Sequence, residues 1–253
     1  MRRGSDRPRL SRQGAGLFQG YGLGGFAERA LIHENQLAAL PKEMPFAQAA
    51  LLGCGVVTGA GSVLNTANVQ AGESVVIFGA GGVGLNAVSG ASIAGASRIV
   101  VIDIHAKRLD EARKFGATDV VDSSASKPVE VVRELLPGGA DHVFDFVGLK
   151  SVAEEGLAML TTGGGLYLVG VSKPDVDVAV NIVGAIGGQK RVQGVNFGST
   201  NFKRDIPMYA ELYLQRRMNL DDLVSKTISL GEVNDGYAAL KDGSLTRVVV
   251  TSF

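Results

Sequence analysis

Gly79-Ala80-Gly81-Gly82-Val83-Gly84 sets three glycines at the spacing G-x-G-x-x-G, and Asp103 follows 19 residues after the last of them. The chemistry open to this set is anion binding joined to recognition of a sugar. Gly79 permits a tight turn, Gly81 lets the backbone approach a phosphate, and Gly84 lets a helix pack close to the strand before it. The N-terminus of that helix offers free N–H groups and a partial positive charge. A carboxylate at Asp103 can accept hydrogen bonds from ribose hydroxyls, so the implied ligand is a dinucleotide. The same carboxylate repels a 2′-phosphate, which favours NAD over NADP. His105, Lys107 and Arg108 follow closely and could soften that preference, although His105 and Lys107 read first as the solvated start of a helix.

The motif has this meaning only where a strand leads in, a helix leads out and a second strand ends on the acid. Ser74-Val-Val-Ile-Phe78 is an apolar, β-branched run, Val83–Ala94 reads as a small-residue helix, and Arg98-Ile-Val-Val-Ile-Asp103 is a second apolar run. The alternation continues with helices near Lys107–Phe115, Val129–Leu136 and Ser151–Leu160. Between them lie strands at Asp119–Val121, His142–Phe146, Leu166–Val171 and Arg191–Val195, with Thr161–Gly165 as a loop. Repeated strand–helix units predict a doubly wound parallel sheet, an α/β fold of the Rossmann type, with strands apolar on both faces. Ahead of it, residues 14–26 read as irregular, Phe26–Glu34 as a strand, Phe46 onward as a helix running past Gly53, and Gln70–Glu73 as a turn. Beyond it come an amphipathic helix at Lys203–Arg217, a helix at Val233–Leu240 and a final strand at Arg247–Thr251.

Lys and Arg total 25, as do Asp and Glu. That balance argues against a nucleic-acid partner. The 35 glycines gather at strand–helix junctions rather than in low-complexity tracts. A single cysteine, Cys54, excludes an internal disulfide and fits a reducing compartment such as the cytoplasm. No apolar stretch reads as long enough to span a bilayer, so no membrane association is expected. Residues 1–12 hold Arg2, Arg3, Arg7, Arg9 and Arg12 against Asp6 and read as a basic arm rather than a leader.

Three further segments carry a family resemblance. Gly53-Cys54-Gly55-Val-Val-Thr58-Gly59-Ala-Gly61-Ser62 precedes the glycine loop, Phe115-Gly116-Ala117-Thr118 follows Asp103, and the tail holds Val169-Gly170-Val171, Gly194-Val195-Asn-Phe197-Gly198 and Leu245-Thr-Arg247-Val248. From about Gly25 to its end the chain resembles the zinc-type alcohol dehydrogenases of the medium-chain dehydrogenase/reductase superfamily. The resemblance implies an NAD-dependent oxidoreductase that moves hydride between an alcohol, or a related adduct, and NAD. It implies that Val83, Val171 and Thr58 meet the nicotinamide ring, that the backbones of Val169, Val195 and Phe197 orient its carboxamide, that Arg247 meets the pyrophosphate and that Arg108 lies over the adenosine. It implies a Rossmann domain over residues 58–197, a second, GroES-like catalytic domain represented only by residues 25–57 and 198–253, and residues 1–24 as an irregular basic arm. It also implies a homo-oligomer formed at the Rossmann sheet edge, near Asn181–Val195.

In that family a zinc activates the alcohol oxygen, and Cys54 matches one of its ligands. A catalytic zinc needs three protein ligands. The family's remaining cysteine and histidine ligands, its proton-relay residues and its four-cysteine structural zinc have no match here. His33 and Glu34, as strand neighbours, would point to opposite faces. The expectation is therefore a chain that holds the dinucleotide, keeps Cys54 as a single residual ligand or a buried free thiol, holds no zinc and turns over poorly. Two other readings stand beside it: a zinc-independent quinone or enone reductase and a non-catalytic NAD-binding module. Removal of the N-terminal lobe is expected to expose apolar surface near Phe26, Leu31 and the last strand.

Overall fold

The computed structural model describes residues 10–18, 24–241 and 245–253. Its centre is a six-stranded parallel sheet: β3 (Ser74–Phe78), β4 (Arg98–Asp103), β5 (Asp119–Asp122), β6 (Ala140–Asp145), β7 (Leu160–Leu168) and β8 (Arg191–Gly194). The spatial order is β5-β4-β3-β6-β7-β8, so the winding reverses between β3 and β6. Alternate residues leave a strand on opposite faces, and the two cores follow that rule. Val75, Ile77, Ile99, Val101 and Phe144 enter one. Val76, Phe78, Val100, Ile102 and Val143 enter the other. The first core is closed by α1 (Phe46–Leu51), α2 (Val57–Gly61), α3 (Gly84–Ala94), α4 (Ala106–Lys114) and α8 (Phe202–Leu214). The second is closed by α5 (Pro128–Leu135) and α6 (Lys150–Met159).

α1 and α2 belong to one long helix, joined by a π-helical turn at Leu52–Val56 and extended by another at Ser62–Ala67. Phe46–Ala67 is 22 residues long and holds an 18-residue stretch of mean hydropathy 1.5, so by length and composition alone it is long enough to cross a membrane, contrary to the sequence expectation; 56% of that stretch is buried within the protein itself. Glycines allow it to lie against the sheet's helices: a Cβ on Gly59 would sit 2.2 Å from the Val83 carbonyl, and one on Gly61 would sit 2.7 Å from that of Gly198.

Several expectations need correction. Residues 26–33 form no strand, and only a 3-10 turn follows at Glu34–Gln36. Phe26 and Leu31 are 59% and 90% exposed, as expected, but the apolar exposure expected at the last strand is not found: Val249 is buried and Val248 and Val250 are half-buried. A strand needs a partner to take its backbone hydrogen bonds, and among the described residues no strand pairs with residues 26–33. Within the stretch read as irregular, β1 (Leu10–Arg12) and β2 (Ala15–Leu17) make an exposed hairpin, with Gln13 and Gly14 both at positive φ as a tight hairpin turn requires. The N-terminal part of the basic arm lies outside the described residues. Thr161–Gly165 belongs to β7 rather than to a loop. α7 (Ile182–Gly188), unanticipated because its glycines blur helical periodicity, is capped by the Asn181 side chain, which accepts from the Gly184 N–H at 2.7 Å. At the C-terminus β9 (Val224–Ser229) pairs in parallel with β10 (Arg247–Ser252), with α9 (Val233–Leu240) between them in the chain.

Tyr209 is fully buried and its hydroxyl has no hydrogen-bond partner among the described residues. Burial pushes its phenol well above the ordinary range. Tyr209→Phe is expected to leave stability unchanged or raise it by up to about 1 kcal/mol, measured by urea unfolding; a clear loss would reveal a partner for the hydroxyl. Gly59→Ala is expected to destabilise the fold by roughly 1–3 kcal/mol in the same measurement, because the atom it meets is backbone.

Candidate functional site

All six parallel strands point their carboxyl ends to one edge, and each sends its following loop there. Gly79 leaves β3 with φ +92, and a Cβ on it would meet Val147, just past the end of β6, at 3.1 Å. The glycine turn therefore lies at the point where the winding reverses, the usual ligand crevice of open α/β sheets. A Cβ on Gly84 would lie 1.8 Å from the Gly79 carbonyl, so α3 starts in direct contact with the strand end. Above Gly81 there is open space, with nothing within 4 Å of a Cβ built there. No side chain caps the N-terminus of α3 at Val83. The turn is held from below by Asn86, whose side chain donates to the Gly82 carbonyl at 2.7 Å.

Asp103 closes β4 and is 7% exposed. One carboxylate oxygen accepts the Ala80 N–H at 2.8 Å and the other accepts the His105 N–H at 2.9 Å. Arg108 approaches the same carboxylate at 3.9 Å. Asp122 and Asp145 close β5 and β6 in a related way: Asp122 accepts from the Ser124 N–H, and Asp145 from those of Val147 and Gly148. Burial pushes the Asp145 carboxyl above the usual range, and the Gly148 and Val147 N–H groups oppose that shift.

Arg247, the first residue of β10, reaches the glycine turn from the far end of the chain. A Cβ on Gly82 would lie 2.6 Å from its Nε, and one on Gly55 would lie 3.0 Å from an Nη. Burial lowers the guanidinium pKa, and the nearby Cys54 sulfur works in the opposite sense. A half-buried cation thus stands over a turn whose Gly81, Gly82 and Val83 N–H groups have no partner among the described residues, an arrangement suited to a pyrophosphate.

The other expected residues line the same edge. Val169 and Gly170 follow β7 and donate to the Asp145 carbonyl at 2.9 and 2.8 Å. Val171 is 96% exposed. Val195 follows β8 and donates to the Leu168 carbonyl. Phe197, in left-handed backbone, packs edge-on against Phe202. Thr58 lies on α2, half-buried. Asn86 and Asp145 were not singled out from sequence, although an acid ending each of three successive strands was a readable signal for Asp145.

Cys54 corrects one expectation: it is exposed, on the outer side of the first π-turn, not buried. Among the described residues no three His, Cys, Asp or Glu side chains converge. His142 is buried, 2.8 Å from Glu73 and 3.3 Å from the Tyr167 hydroxyl. His33 accepts the Asn35 N–H, and the backbone of His105 serves Asp103. One thiol does not make a catalytic zinc site, so the residues present do not fit that metal.

Residues 82–213 match the family model for zinc-binding dehydrogenases. Alcohol dehydrogenase class-3 of Oryza sativa subsp. japonica is 33% identical over 249 residues, covering 97% of this chain and 65% of that protein. The crystal structure of an alcohol dehydrogenase zinc-binding domain protein from Burkholderia ambifaria superimposes with a TM-score of 0.90 at 33% identity, over 92% of this chain and 63% of that one. A protein from Sinorhizobium meliloti 1021, assigned to the zinc-binding dehydrogenases and solved bound to NADP, matches with a TM-score of 0.75 at 25% identity, over 84% of this chain and 61% of that one. The chain therefore spans less than two thirds of the length of these relatives. With more than half of its residues matched by the family model and its sheet shared with solved members, the chain belongs to the zinc-binding dehydrogenase family, among the zinc-type alcohol dehydrogenases of the medium-chain dehydrogenase/reductase superfamily.

Proposed function

We propose that the chain binds NAD along the carboxyl edge of its sheet and belongs to an oxidoreductase acting between small alcohols and aldehydes. The observation that carries this reading is Arg247, half-buried and held against Gly82, beside the open space above Gly81. In it, the N–H groups of Gly81, Gly82 and Val83, with Arg247, hold the pyrophosphate. Asp103 takes the adenosine ribose, and Arg108 covers the adenine side. Thr58, Val83 and Val171 flank the nicotinamide, and the backbones of Val169, Gly170, Val195 and Phe197 orient its carboxamide. When bound, the nicotinamide supplies or accepts the hydride. No step is assigned to a metal, because no three His, Cys, Asp or Glu side chains converge among the described residues. That same observation favours a second reading, an NAD-binding module with little or no turnover of its own.

The far edge of the sheet supports the proposal of a homo-oligomer. β8 is exposed along its whole length, and Ile182, Val183 and Ile186 of α7 are 73%, 80% and 73% exposed. An open strand edge beside an apolar helix is a natural pairing surface.

NADH fluorescence titration tests the cofactor site. Arg247→Ala is expected to weaken NADH binding by about tenfold or more, since it removes a desolvated charge-assisted contact. Gly81→Val is expected to weaken it as strongly while leaving thermal stability nearly unchanged. Failure to bind NADH and NADPH, or unaltered affinity in both variants, would sink the proposal. An alcohol panel with added zinc then separates the readings: binding without turnover favours the module, and metal-free enone reduction points to a quinone-reductase chemistry. For the oligomer, sedimentation velocity of Val183→Lys/Ile186→Lys is expected to give a monomer where the parent chain does not; a monomeric parent chain overturns it.

A further inference from the structure

Away from the glycine turn, a cavity of about 740 Å³ opens where the C-terminal ends of α4 and α8 meet the side of α3. Arg113 and Lys114 reach it from the last turn of α4, and Arg216 and Arg217 from just beyond α8. None of the four makes an ion pair among the described residues. Helix dipoles alone favour cations at these ends, and that accounts for Arg113 and Lys114. It does not account for Arg216, which occupies the left-handed position after the helix (φ +58), where glycine or asparagine is the ordinary choice.

A second, independent observation lies in the wall. Ser89 of α3 lines the cavity and is only 4% exposed, so what remains open of its side chain faces the cavity. Its hydroxyl is thus open only toward the cavity and is placed to donate to a ligand there. Ser92, one turn later, lines the same wall. Two acids also border the space. Asp221 is already engaged, accepting from Gln48 and Tyr213, which leaves Glu43 as the only lining carboxylate without a partner among the described residues. The cations therefore outnumber the acids, above an apolar floor that includes buried Phe115 and Met218.

We propose that this cavity is a second ligand site, binding a small organic molecule that carries two or more phosphates on an apolar body. Guanidinium groups pair with phosphate oxygens through two parallel hydrogen bonds, Ser89 donates one more, and the floor takes the apolar part. The volume lies in the range of ordinary small-molecule sites. The site shares no residue with the dinucleotide edge and does not depend on the function proposed for it.

Inorganic pyrophosphate is the probe, titrated calorimetrically into the full chain, with circular dichroism confirming that each variant folds. Saturable binding is expected in the parent chain and in Arg247→Ala, which disables only the glycine turn. Arg113→Ala/Arg217→Ala is expected to weaken it by about tenfold or more. Ser89→Ala, which changes no charge, is expected to weaken it by a smaller but clear factor. The proposal is overturned if the parent chain shows no saturable binding, if Arg247→Ala abolishes it, or if Ser89→Ala and the double variant bind as the parent does. Equal weakening by Arg247→Ala and the double variant also overturns it, because that pattern reports general charge and not this cavity.

Discussion

The Asp103 carboxylate is the tie on which the site depends. It ends β4, yet one of its oxygens holds the N–H of Ala80 inside the glycine turn that follows β3. Two neighbouring strands are thereby locked at their carboxyl ends, and the turn between β3 and α3 is held in the shape that leaves the space over Gly81 clear. The other oxygen caps the next turn at His105, as Asp122 and Asp145 cap theirs. What sets Asp103 apart from those two acids is the bond across to the neighbouring turn. A carboxylate anchored on both oxygens by backbone N–H groups loses little freedom when it accepts a further hydrogen bond, which suits it to recognise a ribose.

Around this tie the molecule is built on unusually close backbone approaches. α3 begins against the end of its own strand at Gly84, and α2 lies against the start of α3 at Gly59. Side chains at those positions would push the helices apart and open the turn. The abundance of glycine in this chain thus serves packing around a site more than loop flexibility, and the glycines that matter most are those whose absent Cβ would meet backbone atoms.

Much of this was legible in the sequence, and the parts that were not have physical reasons. Strands β3 and β4 are apolar on both faces and bounded by turns, so local pattern alone identified them. The glycine turn and Asp103 were readable because their partners lie within one strand–helix–strand unit. The order of strands in the sheet is a long-range fact with no local signature. The approach of Arg247 to Gly82 likewise joins residues far apart in the chain, and only the resemblance pointed to it. Phe26–Glu34 has the composition of a strand but no neighbour to pair with, and periodicity carries no information about neighbours. Cys54 was expected in the interior because cysteine is usually buried; the π-turn at Leu52–Val56 carries it to the surface instead.

The C-terminal pair of strands has a consequence of its own. Two parallel strands make a weak sheet by themselves, and β9 and β10 are anchored chiefly where Ile228 and Val249 are buried. β10 nevertheless delivers a half-buried cation, Arg247, to the glycine turn. An anion clasped between Arg247 and that turn would act as a non-covalent rivet between the C-terminal segment and the main sheet, so that the order of the last strand and the occupancy of the crevice become two readings of a single equilibrium.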